Sequence, residues 1–203
     1  MNESSGIDRS RLAVFLSGSG RTLVNLHDRI ASGWLEARIV DVVASRQCVG
    51  VERAEALGYR PEIVPGEFTS DELLERVRRT GAGLVVLAGY LRRVPVPQEL
   101  ERRIVNIHPA LLPGDGTGGR FGGKGLYGIR VHRAVIEAGE PESGCTVHYC
   151  DEAYDAGPVI LRRSCPVLPG DTPEDLAARV FELELETLPD ALQLAIGETR
   201  TTT

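Results

Sequence analysis

The chain has one lysine, Lys124; every other basic residue among its 203 positions is arginine. We read that bias as base composition of the coding DNA rather than as chemistry. Positive charge is in deficit as well: the net charge is −6 and the pI about 5.3. That balance argues against nucleic acid or an anionic membrane as a partner. No apolar run approaches the roughly 20 residues that a membrane-spanning helix needs, and no signal-peptide pattern opens the chain. The four cysteines, Cys48, Cys145, Cys150 and Cys165, show no CxxC spacing. This disfavours a zinc site and fits free thiols in a reducing cytoplasm. A Walker phosphate loop is absent. A dinucleotide fingerprint GxGxxG starting at Gly18 would need a glycine at position 23, where Leu23 stands.

What is present reads as alternating strands and helices. Leu12 to Leu16 predicts a buried strand, the turn Ser17-Gly18-Ser19-Gly20 follows, and an amphipathic helix runs from Leu23 to Ile30. Strand, glycine turn, helix presents backbone N–H groups to an anion, although a plain tight connection has the same pattern. Ile39–Ala44 predicts a second strand, and no acid follows it to hold a ribose hydroxyl. Helices over Val49–Leu57 and Ser70–Arg79, the latter capped by Thr69 or Ser70, alternate with strands Glu62–Val64 and Leu84–Ala88. A short helical stretch over Gln98–Arg102 precedes the strand Ile104–Ile107. This alternation predicts an α/β fold with a Rossmann-like, mostly parallel sheet flanked by helices. In such sheets ligands bind beyond the carboxyl ends of the strands.

The stretch Val105-Asn106-Ile107-His108-Pro109 places an amide and an imidazole two residues apart on a strand, and therefore on one face. Two donors held side by side suit charge developing on one oxygen; a turn asparagine and a satisfied core histidine give the same pattern. Residues 114–125 carry seven glycines and read as a surface loop, either a lid or a tolerated insertion. Beyond it come a helix over Tyr127–Ala138 and a strand over Gly144–Tyr149 with one face buried. The acidic turn Asp151–Pro158 leads into a strand over Val159–Val167, antiparallel to the preceding one, which makes the sheet mixed. A final helix, about Glu174–Ala195, is capped by Thr172 and opened by Pro173, and Pro189 kinks or interrupts it. Residues 11–196 read as one domain, with 1–10 and 197–203 as disordered tails.

Five motifs occur in one order: Ser17-Gly-Ser-Gly20, Val86-Leu-Ala-Gly-Tyr-Leu-Arg92, Asn106-Ile-His-Pro-Ala-Leu-Leu-Pro113, Val131-His-Arg-Ala134 and Asp151-Glu-Ala-Tyr-Asp-Ala-Gly-Pro158. Over residues 11–196 this order closely resembles the phosphoribosylglycinamide formyltransferases of the folate-dependent formyltransferase family. The resemblance implies the formyltransferase fold and transfer of a formyl group from 10-formyltetrahydrofolate to the amine of glycinamide ribonucleotide in purine synthesis. It implies no metal, a cytoplasmic location, small-molecule partners only, and a monomer or homodimer. It assigns catalysis to Asn106, His108 and Asp155, and the substrate phosphate and ribose to Gly20, Arg21, Thr22 and Glu184. The folate falls to Leu91, Arg92, Val94, Asp151 and Glu152, and His132 lies close to the site. Two departures stand out. Arg21-Thr22 replace a Ser-Asn pair frequent in the family, and Phe181 stands where some relatives have a polar phosphate contact. Arg21 either adds a charge-assisted bond to phosphate or points to solvent while the backbone binds. Alternatives within the class are transfer to another amine and hydrolysis of formyl-tetrahydrofolate; hydrolytic relatives usually carry an extra N-terminal domain, for which this chain has no room. From other classes come an NADP-binding oxidoreductase or sensor using the Ser17 turn and Arg46, and a noncatalytic folate- or nucleotide-binding protein.

Overall fold

The structure, a computed structural model, describes residues 7–198. The chain divides into two compact units, Met1–Ile104 with Leu192–Thr203, and Val105–Ala191. The first unit holds β1 (Arg11–Leu16), α1 (Arg21–Ala31), β2 (Arg38–Ala44), α2 (Val49–Ala56), β3 (Glu62–Ile63), α3 (Ser70–Thr80) and β4 (Leu84–Leu87). Its strands run in the order β3-β2-β1-β4, and all the pairings are parallel. Because β1 has a neighbour on each edge and both faces covered, its run from Leu12 to Leu16 is continuously apolar and buried. Leu23 and Leu26 of α1 and Leu73 and Val77 of α3 join this core. A capping box starts α3: the Thr69 hydroxyl accepts the Glu72 N–H at 3.3 Å, and the Glu72 carboxylate accepts the Thr69 N–H at 2.8 Å.

A strand irregularity and a buried ion cluster lie side by side in this unit. The register of β2 against β1 slips between Leu12 and Ala13, so Val40 is an extra residue beside Asp41. Asp41 takes two hydrogen bonds from the buried Arg76 of α3, at 2.6 and 2.9 Å, and Glu62 takes a third at 3.0 Å. The backbone of Asp8 and Arg9, within the expected N-terminal tail, lies close against Gly83: a Cβ added there would lie 1.9 Å from the Asp8 carbonyl oxygen. Residues 1–6 of that tail and residues 199–203 of the other lie outside the described residues.

The second unit is built on β5 (Ile104–His108), β6 (Glu142–Tyr149) and β7 (Val159–Pro166), with α4 (Ile129–Glu137) and most of α5 (Pro173–Gly197). Here β6 is antiparallel to both neighbours, so the expected α/β, Rossmann-like arrangement of mixed strand direction holds. Three expectations change. The α4 helix begins at Ile129 rather than Tyr127. The β6 strand is buried on both faces from Ser143 to Tyr149, not one. Its polar positions tolerate this because they are bonded: Thr146 Oγ1 donates to the Ala110 carbonyl at 2.7 Å and accepts the Leu112 N–H at 2.9 Å. Finally, α5 runs 25 residues with Pro189 inside it, so of the two expected effects, a kink or an interruption, the interruption does not occur. Its stripe of Leu188, Ala191, Leu192 and Ala195 is fully buried, and packing of this kind outweighs a local propensity cost.

Candidate active site

The two ends of the Asn106–His108 pair are fixed by β5, which pairs with β6 so that Asn106 lies opposite His148 and His108 opposite Thr146. Beyond β6 the acidic turn brings Asp155 back with a left-handed backbone, φ 55°, conformational strain of a kind that collects at functional sites. One oxygen of Asp155, Oδ1, lies 3.5 Å from Asn106 Nδ2, 3.5 Å from His108 Nδ1 and 3.6 Å from His148 Nε2. The other, Oδ2, accepts the Gly123 N–H at 2.9 Å. His108 is 4% exposed and its Nε2 donates to the Phe121 carbonyl at 2.7 Å. A Cβ on Gly122 would lie 3.0 Å from the Asp155 Cβ and 2.3 Å from the Gly118 carbonyl oxygen. Glycine is what lets this loop approach.

Burial works against the Asp155 carboxylate, yet neighbours that include His108 and the Gly123 N–H hold its pKa below the ordinary value. For His108 burial wins: the pKa falls despite Asp155 and the Phe121 carbonyl, with His148 adding to the fall. Asp155, 3.5 Å away, does favour the imidazolium, but enclosure of the ring outweighs it in this state. His132, on α4, is pulled down to about 4 by burial and by His108, and its Nδ1 has no hydrogen-bond partner.

The remaining predicted residues divide between the two units. In the first, Gly20 caps α1 with φ 71°, and an added Cβ would come 2.6 Å from Gly50 Cα, so only glycine fits. Arg21, exposed, and Thr22, half-buried, open α1, whose first turn contains no acid. Leu91 and Arg92 are exposed and Val94 is buried. Ser17 ties the turn to this segment: its hydroxyl oxygen accepts the Leu91 N–H at 2.9 Å and the Ser45 hydroxyl at 2.6 Å. Arg46, exposed, donates its Nε–H to the Ser17 carbonyl at 3.0 Å. In the second unit Asp151 and Glu152 are exposed, with Asp151 accepting the Ala153 N–H, and Glu184 is half-buried on α5. The structure thus gathers Asn106, His108 and Asp155. It also adds His148, which its sequence position marks only as a residue of an alternating strand; the signal that finds it is the β5–β6 register. No group of three or more His, Cys, Asp and Glu residues placed to hold a metal occurs among the described residues.

An amide, an imidazole and a carboxylate converging without a nucleophilic serine or cysteine can orient and neutralise charge on a substrate carbonyl oxygen and move a proton beside it. That chemistry belongs to direct acyl-type group transfer. A family model described as formyl transferase matches residues 10–192, and the chain belongs to that family. It is 40% identical over 186 residues to the chloroplastic phosphoribosylglycinamide formyltransferase of Arabidopsis thaliana, covering 87% of this chain and 62% of that protein. To its counterpart in Vigna unguiculata it is 39% identical over 202 residues, covering 95% of this chain and again 62% of the relative. The chain therefore spans somewhat less than two thirds of the length of these plant relatives. Among solved structures, glycinamide ribonucleotide transformylase 1 from Symbiobacterium toebii superimposes with a TM-score of 0.79 at 33% identity, covering 98% of this chain and 92% of that one.

Proposed function

We propose that this chain transfers the formyl group of 10-formyltetrahydrofolate to the primary amine of glycinamide ribonucleotide, with residues 11–196 acting as one catalytic domain. The observation that carries the proposal is the convergence of Asn106, His108 and Asp155 around a single carboxylate oxygen in a chain of the formyl transferase family. The relatives named for this reaction supply the acceptor. The amine attacks the formyl carbon and forms a C–N bond, and negative charge collects on the formyl oxygen. Asn106 Nδ2 and His108 Nε2 donate to that oxygen, His108 doing so as a neutral ring once the Phe121 carbonyl gives way. Asp155 takes the ammonium proton, directly or through a water, and the proton passes to N10 of the folate as the C–N10 bond breaks. Loss of one such donor costs about 10²–10³ in rate.

Gly20, Arg21 and Thr22 are assigned to the substrate phosphate, supported by the N-terminus of α1, which has no side-chain cap and no acid in its first turn, and Glu184 to the ribose. Leu91, Arg92, Val94, Asp151 and Glu152 are assigned to the folate. A reducing cytoplasm is supported by four free cysteines, and no helix among the described residues is long and apolar enough to cross a membrane. The test is formyl transfer followed spectroscopically with and without glycinamide ribonucleotide. Turnover that requires the ribonucleotide and yields its formyl amide is the expected result. Formate release without acceptor would identify a hydrolase, and absence of both reactions would overturn the assignment.

A further inference from the structure

We propose that His148 is a positioning residue that fixes the side-chain amide of Asn106 with its nitrogen toward the reacting formyl oxygen. The proposal rests on the formyl-transfer reading for its kinetic consequence, but its geometric content stands independently of it.

His148 is 1% exposed and has one contact that settles its tautomer: Nδ1 lies 2.9 Å from the Tyr149 carbonyl oxygen. A carbonyl has no hydrogen to give, so the ring donates and the proton sits on Nδ1. In the neutral ring Nε2 then carries a lone pair. Its nearest polar neighbour is Asn106 Nδ2 at 3.2 Å, a donor facing an acceptor. Turning the amide over would set its oxygen against that lone pair and, at 3.5 Å, against Asp155 Oδ1. Both contacts would be repulsive, so His148 and Asp155 act together to select one of two orientations that an unsupported asparagine samples freely. One amide N–H is spent on His148. The second, at its long approach to Asp155, is the one left for the formyl oxygen.

The fold builds this arrangement in three places. Asn106 and His148 are direct cross-strand partners. The register of β6 against β7 slips between Val147 and His148, passing from Leu161 to Val159 and leaving Ile160 as an extra residue on β7 opposite this step; a bulge of this kind bends the strand that carries it and raises the local twist. The Tyr149 carbonyl that holds Nδ1 is itself closely backed by Gly157, where an added Cβ would lie 1.9 Å from its oxygen. The glycine of the Asp155-Ala156-Gly157-Pro158 turn thereby serves His148 as well as Asp155.

The first experiment uses the wild-type protein. Nitrogen-15 NMR of histidine-labelled protein, with His148 identified by the loss of its signals in His148→Gln, should show the proton on Nδ1 and a bare Nε2. A proton on Nε2, with or without one on Nδ1, would overturn the proposal whether or not the enzyme transfers formyl groups. The second is kinetic. His148→Phe should lower kcat about 10- to 100-fold with little change in either KM. His148→Gln, whose carbonyl can accept from Asn106, should restore most of that loss. In an Asn106→Ala background His148→Phe should have almost no further effect, because the group being oriented is gone. Additive losses, or a rate within twofold of wild type for His148→Phe, would show that the residue is structural. Should His148→Phe fail to fold, the tautomer and the His148→Gln rate still decide. A wild type that forms no formyl amide, with the tautomer as expected, would sink the reaction assignment and leave the positioning geometry intact.

Discussion

Two buried charged clusters in this molecule respond to burial in opposite ways. In the first unit Arg76, 6% exposed, is penalised by burial, but Asp41 and Glu62 more than compensate and its pKa is raised. In the second, His108, 4% exposed, also faces a carboxylate, and burial prevails. The difference is geometric. Arg76 meets Asp41 through two hydrogen bonds shorter than 3 Å and adds Glu62, the fork-on-carboxylate match that suits guanidinium. Asp155 Oδ1 is shared among three nitrogens at 3.5 to 3.6 Å, close enough to organise them and too far to satisfy any. Strand bulges adjoin both clusters, at Val40 and Ile160. A saturated cluster holds a fold together, whereas an unsaturated one keeps bonding capacity for a ligand.

The sharpest break in that comparison is to remove one member from each. His108→Ala, Asn106→Ala and Asp155→Ala should each lower kcat by about 10²–10³ or more while leaving the denaturation midpoint near wild type. Arg76→Ala should do the reverse: about 3–5 kcal/mol of stability lost, because the buried Asp41 carboxylate remains without its cation, and normal turnover per folded molecule. An unfolded His108→Ala or a folded, inactive Arg76→Ala would dissolve the distinction.

Acid should separate the clusters next. His108 and His132 have folded pKa values below the unfolded 6.5, so between the two values the unfolded chain binds more protons. Stability is then full above 6.5 and falls as pH drops. For His132, 4% exposed with a folded value of about 4, the loss between pH 6.5 and 4 is on the order of 3 kcal/mol. Urea titrations should show His132→Phe with a flatter slope over this window, and an unchanged slope would discount that residue. Smaller effects come from the turn and the cap. Gly157→Ala should cost about 1–3 kcal/mol through overpacking and lower kcat as well, since it displaces the carbonyl that holds His148. Thr69→Ala, which opens the α3 capping box in the first unit, should cost about 1 kcal/mol in thermal unfolding with no kinetic effect.

Much of this was legible in the sequence. Continuous apolar runs located the parallel strands β1, β2 and β4, and glycine turns and caps bounded their helices, because these signals are local. The spacing of Asn106 and His108 placed them on one face of β5 for the same reason. What failed to show depends on partners far along the chain. Burial of both faces of β6 rests on Thr146 bonding to Ala110 and Leu112, and on His148 finding Asn106 and Asp155. The place of His148 needs a cross-strand register and a bulge, neither of which periodicity encodes. Continuity of α5 through Pro189 comes from a buried stripe, not from residue preference. The balance between Asp155 and burial at His108 turns on distances of a few tenths of an ångström.

The contact between His108 and Phe121 runs through the main-chain oxygen of Phe121, not through its ring. Every amino acid carries that oxygen, so replacing the side chain at 121 leaves the contact available. Natural variation at this position is therefore poorly able to alter the state of His108 one substitution at a time. Insertions, deletions or a changed glycine pattern are the changes that reach it. Selection acting on this site would leave its trace in the length of the 114–125 segment rather than in its lettering, and an engineer wishing to retune the histidine should vary that length first.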